Sequence, residues 1–119
     1  MDRTPDIVGR TFKFALAIVR LVGELDGKSS SRRVLASQVV SSGTSIGANV
    51  EEAQAAESKA DFVHKYNIAL KEARETRYWL RLISASDMAR KTNMDPLIKE
   101  SDEICRILGQ ITVNARRNK

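Results

Sequence analysis

The chain has 119 residues and a formal net charge of +5 at pH 7, from 20 Lys and Arg against 15 Asp and Glu. Hydrophobic residues make up 42%, charged residues 29% and aromatic residues 5%, which excludes a disordered chain and argues against a β-sandwich or barrel. The length fits a single domain, residues 1–119, and the basic balance suits contact with RNA, DNA or an acidic partner.

The first predicted helix covers residues 5–25, with Thr4 as its cap, Pro5 at its first position and Asp26-Gly27 after it. Two apolar stripes lie about 100° apart on it. One stripe contains Val8, Phe12, Ala15, Val19 and Val22, and the other contains Ile7, Phe14, Ile18, Leu21 and Leu25. One stripe is enough for a core, so we expect the second to contact another subunit. The alternative is that both stripes enter an enlarged core of one monomer.

The second predicted helix covers residues 31–56 and contains the segment 41–49, which is rich in poor helix formers. Gly43 and Gly47 each cost about 1 kcal/mol relative to alanine in a helix. The segment is either a phosphate-cradling loop or a helix that packs closely on another helix. A phosphate loop requires a preceding strand and a following lysine, whereas Glu51 and Glu52 follow here. We therefore favour close packing and place Gly43 and Gly47 in a candidate subunit interface.

The third predicted helix covers residues 59–86 and begins after Ser58. Its apolar stripe consists of Phe62, Tyr66, Ala69, Ala73, Leu80 and Ile83. A basic row lies beside this stripe and consists of Lys71, Arg74, Arg77 and Arg81. The row can neutralise phosphates, and an exposed Tyr78 or Trp79 can stack on a base. The alternative is that the arginines pair with Glu51, Glu52 or Glu75.

The fourth predicted helix covers residues 95–116. Because the connections are short, the four helices predict an all-α, antiparallel up-down-up-down four-helix bundle. Two further basic clusters lie at helix ends, Arg32-Arg33 and Arg116-Arg117. They are candidate nucleic-acid contacts, although such terminal residues often only complement a helix dipole.

Few residues suggest reaction chemistry. Cys105 is the single cysteine, which excludes an intramolecular disulfide and favours a reduced, cytoplasmic protein. His64 is the single histidine and lies seven and three residues after Glu57 and Asp61, which places the three on one helix face. Carboxylate sites in helix bundles use a second histidine, which this sequence does not contain. We predict no catalytic residue, no metal site, no cofactor and no membrane span.

Three segments carry a resemblance to a known family: SGTSIGANVEEA at residues 42–53, FVHKYNIA at 62–69 and KEARETRYWL at 71–80. They resemble the bacterial four-helix-bundle family that includes the proteins encoded by intervening sequences in large-subunit rRNA genes, once labelled S23-type ribosomal proteins. The accessory variability proteins of diversity-generating retroelements are similar to this family. The resemblance implies a homopentameric ring without established catalytic activity, which in the retroelement branch binds a reverse transcriptase and nucleic acid.

Together these observations predict a non-enzymatic, homo-oligomeric scaffold that binds RNA, DNA or a nucleic-acid enzyme. The alternative is a protein–protein adaptor with no affinity for nucleic acid, and a bundle enzyme with a metal site is a distant third. The candidate oligomer interface consists of Ile7, Phe14, Ile18, Leu21, Leu25, Gly43 and Gly47. The candidate nucleic-acid contacts are Arg32, Arg33, Lys71, Arg74, Arg77, Arg81, Arg116 and Arg117.

Overall fold

A computed structural model describes residues 6–25, 27 and 29–117, which form four α-helices and no strand. The helices are α1 (Ile7–Leu25), α2 (Ser30–Gln54), α3 (Lys59–Ala85) and α4 (Asp95–Arg117). The predicted ranges lie within two residues of these bounds, and the all-helical fold class is confirmed. The predicted cap Thr4, the following Pro5 and the stop at Asp26 lie outside the described residues.

Side-chain caps fix the starts of three helices, because the first backbone N–H groups of a helix lack intrahelical acceptors. Ser29 Oγ accepts a hydrogen bond from the Arg32 N–H at 3.2 Å, at the start of α2. Ser58 Oγ accepts one from the Asp61 N–H at 3.0 Å, at the start of α3. At the start of α1, Asp6 Oδ1 accepts one from the N–H of Gly9 at 3.0 Å.

The two apolar stripes of α1 have opposite roles from those predicted. The chain buries the predicted interface stripe, Ile7, Phe14, Ile18, Leu21 and Leu25, in its own core at 8% exposure or less. The predicted core stripe instead carries the exposed side chains Phe12 and Val19. The five buried residues are therefore corrected from interface to core, because side chains covered within the monomer are not available to a second subunit.

The segment 41–49 is helical throughout, as predicted. Its glycines allow α1 to approach: a Cβ on Gly43 would lie 2.9 Å from Ile18 Cγ2, and one on Gly47 would lie 3.3 Å from the Thr11 carbonyl oxygen. Close packing is thus confirmed, but against α1 of the same chain. Gly43 and Gly47, both buried, are accordingly corrected from interface to intrachain helix packing.

Cross-helix hydrogen bonds show which parts of the helices lie side by side. Thr76 on α3 lies beside Ser42 on α2, and Tyr66 near the start of α3 lies beside Gln54 at the end of α2. Helices α2 and α3 pack together most extensively, and α1 contacts α4 least. Within the described residues, no helix combines the length and apolar character needed to cross a bilayer.

Candidate functional site

The outer face of α3 carries a continuous stripe of basic and aromatic side chains. Lys71, Arg74, Tyr78 and Arg81 follow one another at spacings of three, four and three residues, which places them on one helix face. All four are exposed, and Tyr78 has 56% of its surface accessible. We call these four residues the α3 stripe; it extends for about 15 Å along the helix.

The basic members of the α3 stripe are not held in ion pairs in the described part of the chain, although the charge of Lys71 acts on the neighbouring Glu72. Lys71, Arg74 and Arg81 form no side-chain hydrogen bond or ion pair there. The neighbouring helix α2 contains no charged residue between Arg33 and Glu51. That uncharged segment lies beside α3, as the bond between Ser42 and Thr76 shows, so the positive charge of the stripe is not neutralised from this side.

Arg77 belonged to the predicted basic row but points to a different neighbour. Its guanidinium Nη1 lies 3.4 Å from Asp102 Oδ1 on α4, and the side chain is half-buried. The alternative of structural pairing therefore holds for Arg77, although its partner is Asp102 rather than one of the three glutamates considered. The residue on the exposed face of α3 between Arg74 and Arg81 is therefore Tyr78 and not Arg77.

Near the middle of the α3 stripe, Trp79 contacts both Glu75 and Tyr78. Trp79 is half-buried, and its Nε1–H donates a hydrogen bond of 3.2 Å to Glu75 Oε2. The Tyr78 ring meets the Trp79 ring edge to face, with centroids 5.1 Å apart and planes at 73°. This contact orients Tyr78 on the surface, and Glu75 is engaged by the indole rather than by an arginine.

In the predicted cluster at the start of α2, Arg32 takes part in the packing of the fold, whereas Arg33 is exposed. Arg32 is half-buried, and its Nη1 donates a hydrogen bond of 2.8 Å to the Met88 carbonyl oxygen. Arg33 is exposed and lines a shallow surface groove with Val34 and Gln38. Arg32 therefore connects the start of α2 to the segment after α3.

A second basic site lies between the start of α3 and the end of α4. Lys59, His64 and Asn67 of α3 and Arg116 of α4 line an open groove of about 640 Å³, whose apolar wall consists of Ala60 and Val63. Both residues of the predicted cluster Arg116-Arg117 are exposed, and Arg116 lines this groove. The sequence does not predict this site, because spacing relates His64 only to acids on its own helix, whereas the groove requires that α4 ends beside α3.

The remaining candidates for reaction chemistry are inert or dispersed. The Cys105 thiol is buried, and burial raises its pKa, opposed by the nearby charges of Arg77 and Arg74. A thiol held in its neutral form is a poor nucleophile. In the described part of the chain, no three side chains among His, Cys, Asp and Glu come close enough to bind a metal ion.

An apolar stripe remains uncovered on α1. Phe12, Leu16 and Val19, at spacings of four and three residues, are 62%, 42% and 50% exposed. We call these three residues the α1 stripe. Single exposed apolar residues are common, but three on one helix face form a contiguous patch of the kind that marks contact surfaces.

Comparison with known proteins gives consistent results. A family model described as "23S rRNA-intervening sequence protein" matches residues 3–110. Among solved structures, a protein of unknown function from the S23 ribosomal protein family of Bacteroides thetaiotaomicron is similar, with 39% identity and a TM-score of 0.78. The match covers 89% of this chain and 97% of that chain. No curated protein is significantly similar in sequence.

Proposed function

We propose that this chain, which belongs to the 23S rRNA-intervening sequence protein family, is a non-enzymatic cytoplasmic scaffold that binds single-stranded nucleic acid through the α3 stripe. One observation carries the proposal: Lys71, Arg74 and Arg81 are exposed and unpaired around the exposed ring of Tyr78. Cations spaced along a helix neutralise phosphates, and an aromatic ring between them stacks on a base without regard to sequence.

We further propose that the bundle is antiparallel and that copies of the chain assemble through the α1 stripe into a ring, with five subunits as the family resemblance implies. Burial of Phe12, Leu16 and Val19 against a neighbouring subunit would remove their exposed apolar surface from water. A pentamer would carry five times the +5 charge of one chain. Repetition of the α3 stripe around the ring would strengthen binding by avidity.

Titration of labelled single-stranded RNA and DNA at two salt concentrations tests the function. For single strands, log K falls with log salt by about 0.7 per neutralised phosphate. Arg74→Gln combined with Arg81→Gln should therefore reduce that slope by about 1.4. The matched control is Arg90→Gln with Arg106→Gln, which removes the same charge from two exposed arginines paired with Asp87 and Glu103 and should leave the slope unchanged.

Tyr78→Ala tests the stacking contribution separately from charge. Loss of the ring should weaken binding by about 1–3 kcal/mol, if one base stacks on it, while the salt slope stays as in the wild type. Absence of binding at low salt, or binding that is indifferent to salt, would reject the nucleic-acid function.

The adaptor function is the second candidate, because the exposed Leu82 extends the α3 stripe with an apolar side chain at 39% exposure. A protein partner that covers Leu82 together with Tyr78 would gain from burial of both. This candidate predicts no measurable affinity for either RNA or DNA at low salt. The same titration therefore distinguishes the two functions.

A further inference from the structure

We propose that the groove between the start of α3 and the end of α4 binds a phosphate monoester, and that the end of a nucleic-acid strand supplies it. The strand-end assignment rests on the proposed function, whereas the phosphate site itself does not. Four polar side chains line the groove: Lys59, His64, Asn67 and Arg116.

All four side chains can donate hydrogen bonds, and none is engaged by the rest of the chain. Lys59, His64, Asn67 and Arg116 form no side-chain hydrogen bond or ion pair with any described residue. An ammonium, a guanidinium, an imidazole and an amide thus meet in one space, with donors from two different helices. The chemistry of this donor set selects an anion with several acceptor oxygens.

No acidic side chain among the described residues lines the groove. The acids nearest in sequence are Glu57 and Asp61, and neither belongs to its lining. Arg117, the last residue of α4, is exposed and does not belong to the lining. The local charge is therefore positive, and an anionic ligand would enter it without displacing an existing ion pair.

The charge and the shape of the site favour a monoester over a diester. A phosphate monoester carries a charge of about −1.5 to −2 at pH 7 and has three strong acceptor oxygens. An internal phosphodiester carries one negative charge and two unesterified oxygens, so it offers less to a cluster in which Lys59 and Arg116 approach from different helices. The rest of the lining consists of the apolar side chains Ala60 and Val63.

The groove is continuous with the α3 stripe. His64 and Asn67 precede Lys71 at spacings of three and four residues, so they extend the same helix face. The distance along the helix from His64 to Arg81 is about 25 Å. A strand whose terminal phosphate occupies the groove can therefore follow the stripe and place a base on Tyr78.

Nuclear magnetic resonance of His64 tests the phosphate site without any strand, because this is the only histidine of the chain. Titration with methyl phosphate should shift its imidazole signals to saturation, and dimethyl phosphate at the same concentrations should not. Arg116→Gln should abolish the shift, and the adjacent change Arg117→Gln should retain it. Equal shifts with both esters, or a saturable shift unaffected by Arg116→Gln, would overturn the site.

Oligonucleotides with and without a terminal phosphate test the source of the ligand. We expect a phosphorylated strand to bind about tenfold more tightly than its hydroxyl counterpart. Lys59→Gln with Arg116→Gln should remove this preference while the unphosphorylated strand still binds. Equal binding of the two strands would reject the strand end as the source of the phosphate. No binding of either strand would reject both the proposed function and the strand-end assignment. The phosphate site itself would then still be tested by the methyl phosphate titration.

Discussion

Thr76 Oγ1 on α3 donates a hydrogen bond of 2.8 Å to Ser42 Oγ on α2, where both side chains are buried. The single Thr76 hydroxyl proton is shared between Ser42 Oγ and the Glu72 carbonyl oxygen, which lies 2.7 Å from Oγ1, and Ser42 in turn donates to the Gln38 carbonyl oxygen at 3.1 Å. The pair thereby joins the two most extensively packed helices without leaving a buried polar group unsatisfied.

The first prediction concerns this hydroxyl pair. Ser42→Ala and Thr76→Val should each lower the free energy of unfolding by about 1 kcal/mol, the net value of one hydrogen bond. The double variant should lose less than the two single losses added together, because both changes remove the same interaction. Urea denaturation of all four proteins measures the coupling, and strict additivity would show that the bond contributes nothing.

The second prediction concerns the close approach of α1 and α2. Gly43→Ala should destabilise the chain by about 1–3 kcal/mol through overpacking, partly offset by the helix propensity of alanine. The cause is that the new Cβ would lie 2.9 Å from a methyl carbon of the fully buried Ile18. Gly109→Ala on α4 is the control, because its Cβ would meet nothing within 4 Å; this change should stabilise.

The third prediction concerns pH. Burial, followed by the charge of Glu75 and opposed by that of Lys71, raises the pKa of Glu72 above its ordinary value of 4.5. A carboxyl whose pKa is raised on folding favours the folded state at low pH, and this contribution is lost as pH increases through its range. Glu72→Gln should therefore be slightly more stable than the wild type at pH 7, with the difference disappearing below pH 4.5.

Glu103 provides a control of opposite sign for this prediction. A hydrogen bond from Arg106 lowers its pKa, so Glu103→Gln should lose stability at pH 7 relative to the wild type and match it at low pH. Denaturation midpoints at several pH values test both variants. If the two variants changed in the same direction with pH, the assigned environments would be wrong.

The fourth prediction concerns assembly through the α1 stripe. Phe12→Ser with Val19→Ser should lower the mass measured by light scattering towards the 13.3 kDa of one chain. The control Val113→Ser, at a residue of α4 with 43% exposure, should leave the mass unchanged. Ile18→Ala should instead reduce stability by about 2–5 kcal/mol, as expected for a core residue. A wild type that is already monomeric would remove the ring.

The sequence predicted the helices well because their ends carry local signals. Ser58 caps α3, and Asp95 is followed by a proline at the start of α4; such signals depend only on nearby residues. The family was also recognisable, because so many small and polar residues within 42–53 are unusual inside a helix. The match over residues 3–110 confirms that resemblance.

The assignment of the two faces of α1 failed for a physical reason. Both stripes are apolar, so composition does not distinguish the face that packs from the face that remains uncovered. The decision comes from α2, where Gly43 and Gly47 create space opposite Ile18 and Thr11. Likewise, the basic groove depends on Arg116 reaching Lys59 from another helix, and spacing along one chain contains no signal for such a meeting.

Helices α1 and α4 form the least extensive contact among the neighbouring helices of the bundle. Between them, Arg10 binds Glu100 through two hydrogen bonds of 2.6 and 2.9 Å, while α2 and α3 pack together extensively. Local opening proceeds where few apolar contacts must be broken. We therefore expect the first and last helices to separate before the central pair unfolds, and the ion pair between Arg10 and Glu100 to oppose that separation.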